Sequence, residues 1–206
     1  MAGFRIAVIG AGNIGGTLGK KWAAAGHSVA FGVSDSNSKK VQAVRAELGP
    51  TASIGSVADA LASADVALMA VPGGVMDALI AANAAQLDGM TVIDAANRMG
   101  GGDMNSFATF RAQTPNARVY RAFNIYGWEN FAGPVVGGAQ ADLFYCGPDS
   151  ESRAVVERLI SDVGLRPMCV GDADKVDVVD GVLRLWFALA NGQHLGRHLA
   201  FRVLAG

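Results

Sequence analysis

Cysteine, histidine and charge are all scarce in this sequence. Among 206 residues there are two cysteines and three histidines, and charged residues make up 17%. Cys146 and Cys169 stand apart in short apolar runs that read as strands. Two such cysteines build neither a disulfide framework nor a metal-ligand spacing, and we expect small buried hydrophobes. His194 and His198 are four apart on what reads as one helical face, but no carboxylate stands near enough in sequence to complete a ligand set, so no metal is expected. The net charge is -1 and lysine and arginine form no dense block, which argues against nucleic acid as a partner. No apolar run approaches the ~18 residues of a membrane span; the greasiest piece, residues 185–190, is far too short. The N-terminus runs straight into a strand without a charged-then-apolar leader. The expected setting is a reducing cytoplasm, with no membrane partner.

What the chain has in plenty is apolar residues, at 51%, and glycine, at 27 residues. This supports a sizeable core in one domain, or in one domain with a small second lobe. Strand and helix patterns alternate from the start. Residues 4–9 are a continuous apolar run broken only by Arg5, as in a parallel strand buried on both faces. Ile14, Leu18 and Trp22 recur at four-residue spacing, marking one face of a helix that stops at Gly26.

Further strands are expected at 28–33, 52–54, 66–71, 90–93 and 118–123. Helices are expected at 40–48, 57–64, 75–85 and 107–113. Beyond Asn124 the texture becomes loop-rich, and the expected order is a strand at 143–146, a helix at 152–163 capped by Asp149 or Ser150, a strand at 167–170 and a mainly helical stretch over 175–204. The pattern predicts an α/β fold: a Rossmann-type doubly wound parallel sheet with a small α/β C-terminal lobe ending in a long helix. The division falls at 1–123 and 124–206.

Gly10, Ala11, Gly12, Asn13, Ile14 and Gly15 spell G-x-G-x-x-G. The string alone is weak, but here it follows an apolar strand and opens an amphipathic helix, with a second strand on schedule. Gly10 permits the tight turn, Gly12 lets the backbone touch a pyrophosphate, and Gly15 lets helix and strand pack closely. The N–H groups of Asn13 and Ile14 would face the anion, aided by the helix dipole. An NAD enzyme usually ends the next strand on Asp or Glu, which accepts from the ribose 2′-OH. Val33 stands there, followed by Ser34. Ser34, Ser36, Ser38, Lys39 and Lys40 offer hydroxyls and charge to a 2′-phosphate, while Asp35 pulls towards NAD. Lys39 and Lys40 also suit the solvated start of the next helix. NADP(H) is therefore expected ahead of NAD(H).

Residues 7–16 (AVIGAGNIGG), 25–27 (AGH), 68–72 (LMAVP), 92–97 (VIDAAN), 121–124 (RAFN), 142–147 (DLFYCG) and 164–167 (GLRP) resemble, in this order and spacing, the F420-dependent NADP reductase family. The dinucleotide domain of that family is shared by the STEAP-type ferric reductases, and the resemblance extends over nearly the whole chain. It implies that Val71 and Pro72 lie over the nicotinamide-side ribose, with Asn97 and Asn124 near the nicotinamide. Two positions differ: Ser34 stands where the family carries Arg, and Asn124 where the deazaflavin-using archaeal members carry His.

Residue chemistry agrees on the place, since Val71, Asp94 and Phe123 end strands at the carboxyl edge where doubly wound folds hold ligands. No residue stands out as an acid, base or nucleophile, and hydride transfer to a flavin-like ring needs none of large effect. Asn124 is expected to position rather than react, and Tyr126 and Trp128 either wall an aromatic acceptor or pack in the core. The expected function is an NADP(H)-dependent oxidoreductase whose diffusible co-substrate is a flavin or F420. Alternatives are a redox sensor that binds NADP(H) without turnover, and a reductase of small carbonyls or imines. The last helix carries Val178, Val179, Val182, Leu185, Trp186 and Leu189, more apolar surface than one helix face needs, which predicts a homodimer, with packing wholly within the monomer as the alternative.

Overall fold

Strands covered on both faces need only continuous apolar sequence, because neither side meets water. The computed structural model, which describes residues 3–206, centres its sheet on two such runs. β1 (Arg5–Ile9) and β4 (Val66–Met69) lie parallel, Ile6 opposite Val66 and Ile9 opposite Met69, and beyond Arg5 every residue of both is buried. β2 (Ser28–Gly32) and β3 (Ala52–Gly55) extend the sheet on one side. β5 (Thr91–Asp94) and β6 (Arg118–Arg121) extend it on the other, giving the six-stranded order β3-β2-β1-β4-β5-β6. The strand order reverses between β1 and β4, so their carboxyl ends form the switch point of a doubly wound fold.

Helices α1 (Asn13–Ala24), α2 (Lys39–Leu48), α3 (Val57–Leu61), α4 (Met76–Ala82), α5 (Ala84–Leu87) and α6 (Phe107–Gln113) connect these strands. α1 buries Leu18 and Trp22 completely, the face its spacing announced. Ala60, Leu61, Met76, Ile80, Leu87 and Phe110 pack with Ala7, Ile9, Met69 and Val92 from the sheet. α3 begins with a capping box between Ser56 and Asp59. The helix expected over 75–85 is broken at Asn83, whose Nδ2 donates to Leu79 O at 2.8 Å and takes the place of a continuing turn. Among the described residues no helix is long and apolar enough to cross a membrane.

The chain divides into two compact units after Val119. The second contains α7 (Trp128–Ala132), a small hairpin of β7 (Val135–Val136) and β8 (Ala139–Gln140), and β9 (Asp142–Tyr145). α8 (Glu151–Val163) then leads to β10 (Arg166–Cys169), which pairs parallel with β9. The capping expected at α8 is absent: the Ser150 hydroxyl bonds to Tyr120 and Ser152 instead, and Asp149 pairs with Arg153. Left-handed Gly164 ends α8 (φ 97°). The long last helix, α9 (Val176–Phe187), continues through a π turn to Gly192.

From residue 193 the chain is not helical, which corrects the expectation of helix to 204. Its backbone is held by the rest of the unit, not by its own turns. Leu199 O accepts from Trp186 Nε1 and Asn130 Nδ2 (both 2.9 Å), Phe201 O accepts from Asp142 N (2.9 Å), and Val203 N donates to Asp142 Oδ2 (2.7 Å). His194 and His198 therefore share no helical face; His198 Nε2 lies 2.7 Å from Gly133 O. No cluster of three or more metal-ligating side chains exists among the described residues. Cys146 is buried, and burial pushes its thiol up to about 12.

Asp142 is the hinge of this packing. Its buried carboxylate takes two bonds from Arg166, at 2.5 and 2.7 Å, besides the one from Val203. Burial by itself would raise this carboxyl, but those hydrogen bonds and the nearby Arg166 and Arg202 charges hold it below the ordinary carboxylate range. A carboxyl depressed in the folded state stabilises the fold above its unfolded value, near 3.9, and loses that contribution as pH falls through the folded one. We expect Asp142→Asn to cost about 2 kcal/mol at neutral pH, since it leaves Arg166 without its charge partner. The loss should shrink towards pH 2, at the acid end of that window. Urea unfolding of both proteins across this range checks it; a pH-independent difference would refute the assignment.

Candidate functional site

The turn after β1 is built by close backbone approach. Gly10 takes a left-handed φ of 100°, and its N–H donates to Gly32 O at 2.9 Å. A Cβ on Gly15 would stand 2.0 Å from Gly10 O, so only glycine lets α1 come down onto the end of β1. Gly12 is the opposite case: a Cβ there would meet nothing within 4 Å. It is the N-cap of α1, with no side-chain cap and no acidic residue in the first turn. The first-turn N–H groups lack intrahelical acceptors and carry the positive end of the helix dipole into that open space. An open helix N-terminus of this kind suits an anion.

Two cavities flank this turn within the first unit. The larger, of about 590 Å³, is floored by Ile9, Gly10, Ala11 and Gly12 and walled by Val33, Ser34, Val71, Pro72 and Val75. The smaller, of about 300 Å³, is bounded by Gly12, Asn13, Ile14, Val71, Ala95, Ala96 and Asn97. Both sizes lie in the range of small-molecule pockets. The loop after β2 supplies Asp35 and Ser38 to the larger cavity and the first turn of α2 supplies Lys40, which reaches both. Ser36 and Lys39 line neither; both are exposed, and Ser36 O accepts from Gln42 Nε2. Ser38 decides the matter. Its hydroxyl accepts from Val41 N–H at 3.4 Å and caps α2, which fixes the helix phase and turns Lys40 and Val41 to the cavity. The signal was in the sequence, as a serine three residues before the first apolar position of that helix.

Asn124 lies in the second unit, buried, with Nδ2 donating to Asp180 Oδ1 at 3.1 Å. The same oxygen lies 2.8 Å from Arg121, a pair in which both side chains are essentially inaccessible (0% and 1%). Tyr126 is a core residue of this unit: its hydroxyl donates to Asp142 O and accepts from Phe201 N–H, and burial pushes it up to about 12. Trp128 is 40% exposed on α7. His27 belongs to its turn, where Nδ1 accepts from Phe4 N–H and the ring stacks on Phe4 at 5.4 Å. Of the described residues lining the larger cavity, Asp35 and Lys40 are the ionisable ones.

The two glycines separate folding from binding. Gly12→Ala adds a methyl to open space, so the melting temperature should stay within about 2 °C while dinucleotide affinity falls about tenfold or more. Gly15→Ala should instead lower stability by about 2 kcal/mol or more, since backbone must move. Thermal melts and calorimetric titration with NADPH check both; an unaltered affinity in Gly12→Ala would contradict the site.

Residues 5–98, which contain both cavities' linings, match the family described as NADP oxidoreductase, coenzyme F420-dependent. No curated protein sequence matches the chain. Among solved structures, a candidate F420-dependent NADP reductase from Arthrobacter sp. FB24 is similar over 98% of this chain and 100% of its own, at 24% identity and a TM-score of 0.85. A hypothetical protein from Sinorhizobium meliloti is 29% identical over 84% of this chain and 86% of its own, with a TM-score of 0.66. An imine reductase from Pseudomonas sp. shares the fold at 14% identity and a TM-score of 0.73; the match covers 92% of this chain but 64% of that one. The family match is thus carried by residues 5–98, the segment that forms both cavities, and it supports an oxidoreductase that uses a nicotinamide cofactor.

Proposed function

We propose that the protein transfers a hydride between NADP(H) and a flavin or deazaflavin such as F420. The observation that carries this is the groove at the end of β2, which closes on Val33 where an acid would bind the ribose 2′-OH and repel a 2′-phosphate. Ser34, Ser38 and Lys40 offer hydroxyls and a positive charge around it. NADP(H), when bound, supplies or takes the hydride. Gly12, Asn13 and Ile14 would hold its pyrophosphate, and Val71, Pro72 and Asn97 its nicotinamide half. The protein's part is to align donor and acceptor at about 3–3.5 Å and to keep water out, which needs no acid or base. Asn124 acts as a positioning residue, consistent with an amide fixed by Asp180.

Asp35 also lines the cavity and opposes a phosphate, so the preference for NADPH over NADH should be about tenfold, ~1.4 kcal/mol, and not absolute. Val33→Asp should reverse it, and Lys40→Ala should weaken NADPH while leaving NADH unchanged. Calorimetric titrations giving equal affinities in the unmodified chain would reject NADP(H) as the preferred cofactor. Stopped-flow oxidation of NADPH with FMN, FAD and F420 in turn tests the acceptor. If none is reduced above the enzyme-free rate, a sensor or an imine or carbonyl reductase replaces this function. Asn124→Ala should slow the transfer about tenfold with NADPH affinity little changed, as expected for lost alignment.

The protein works as a homodimer through α9. Val179, Leu183 and Trp186 bury one face of that helix, while Val178 and Leu185, about half exposed, continue with Val182 and Leu189 along another. Their spacing of four, three and four is that of a helix–helix seam, and a second copy of the same stripe is its simplest partner. Light scattering at micromolar concentration should give twice the chain mass, and Leu185→Glu should return it to one.

A further inference from the structure

Asp94 ends β5 with its carboxylate fully buried. It accepts from Ala96 N–H at 3.1 Å through Oδ1 and from Ser106 N–H at 3.0 Å through Oδ2. Those two amides stand at opposite ends of the connection from β5 to α6. Between them Arg98 N–H donates to Met104 O at 2.9 Å and closes the loop. The loop's tip is three successive glycines, Gly100, Gly101 and Gly102, with φ of 129°, 111° and 73°. One carboxylate therefore staples the base of a loop whose tip is built of glycines with positive φ.

That base is a wall of the smaller cavity. Ala95, Ala96 and Asn97 line it, and Ala96 is itself one of the stapled amides. Gly73 presses on the same segment, since a Cβ there would lie 2.5 Å from Asn97 O and 2.6 Å from Arg98 N. The wall is thus fixed between the Asp94 staple and the Gly73 backbone, with little freedom to relax.

We infer that Asp94 is a positioning residue for the nicotinamide half of the cofactor: without touching it, the carboxylate sets where the wall formed by Ala95, Ala96 and Asn97 stands. This rests on the dinucleotide function proposed above. An ionised carboxylate can accept both amide bonds, whereas an asparagine side chain offers one oxygen and turns an N–H against the second donor. Asp94→Asn keeps the volume and releases one end of the staple. Gly73→Ala keeps the carboxylate and displaces the wall from its other side.

A purely structural role would lower stability without distinguishing one half of the cofactor from the other. The experiment therefore titrates the unmodified chain, Asp94→Asn and Gly73→Ala with 2′,5′-ADP, which carries only the adenosine half, and with NADPH. The emission of the bound reduced nicotinamide is recorded alongside. In both variants 2′,5′-ADP affinity should change by less than about twofold, while NADPH affinity falls about tenfold and the bound emission shifts. Parallel loss of both ligands, or unchanged NADPH affinity and emission, overturns the role of Asp94. If Asp94→Asn does not fold, Asp94→Glu, which keeps two acceptor oxygens but moves them by one methylene, decides by the same two readouts. An unmodified chain that binds neither ligand removes the dinucleotide function and the positioning role together. Binding of both, without separation by the variants, removes the positioning role alone.

Discussion

The contact between Gly15 and the carbonyl of Gly10 sets the geometry on which the site depends. It brings the first turn of α1 against the end of β1, where the sheet's strand order reverses, so the helix opens into the groove and not beside it. Everything that faces the groove inherits its position from that approach: Gly12 at the mouth, Val71 and Pro72 across from it, and the loop after β2 on the far wall. A methyl group at residue 15 would shift the helix, and the cavities would lose their common floor.

Much of this was legible because it is local. The β1–α1 turn, the alternation of strands and helices, and Val33 at the end of β2 are each decided within a few residues. The wall near Ala95 and Asn97 was half legible: the strand ending at Asp94 was evident, but not that its carboxylate would take amides from both ends of the following loop, since Ser106 lies twelve residues on. The choice between Lys39 and Lys40 hung on helix phase, which Ser38 sets through its cap. The C-terminal segment misled for another reason. Its apolar periodicity continues past Gly192, yet the carbonyls of Leu199, Phe201 and Val203 accept from the Trp186 indole, the Asp142 amide and the Arg166 guanidinium, partners that no sequence spacing announces.

The second unit shows what pattern reading gives up to tertiary chemistry. Arg121 and Asp180, far apart in sequence, form an ion pair with no access to water, and Asn124 joins it. Such a pair adds little net stability, because desolvation offsets the attraction, but losing either member strands a charge. Its contribution is to specify one arrangement. Phe123 between them takes a left-handed φ of 60°, uncommon for a bulky residue, and its ring meets Phe131 edge-on at 5.6 Å. The strain and the buried pair sit together at the chain segment that the family resemblance marks as RAFN.

The groove's poverty in charge also bears on how a cofactor would arrive. Lys40 lines both cavities and Asp35 faces the larger one with it, so the charges that line the groove offset each other. A highly anionic ligand would gain little from long-range steering, and its association rate should respond only faintly to ionic strength. Peptide N–H groups act at contact distance, well inside the Debye length of about 10 Å at 0.1 M salt, and mobile ions screen them poorly. A grip made of backbone should therefore persist in brine that would loosen an arginine clamp.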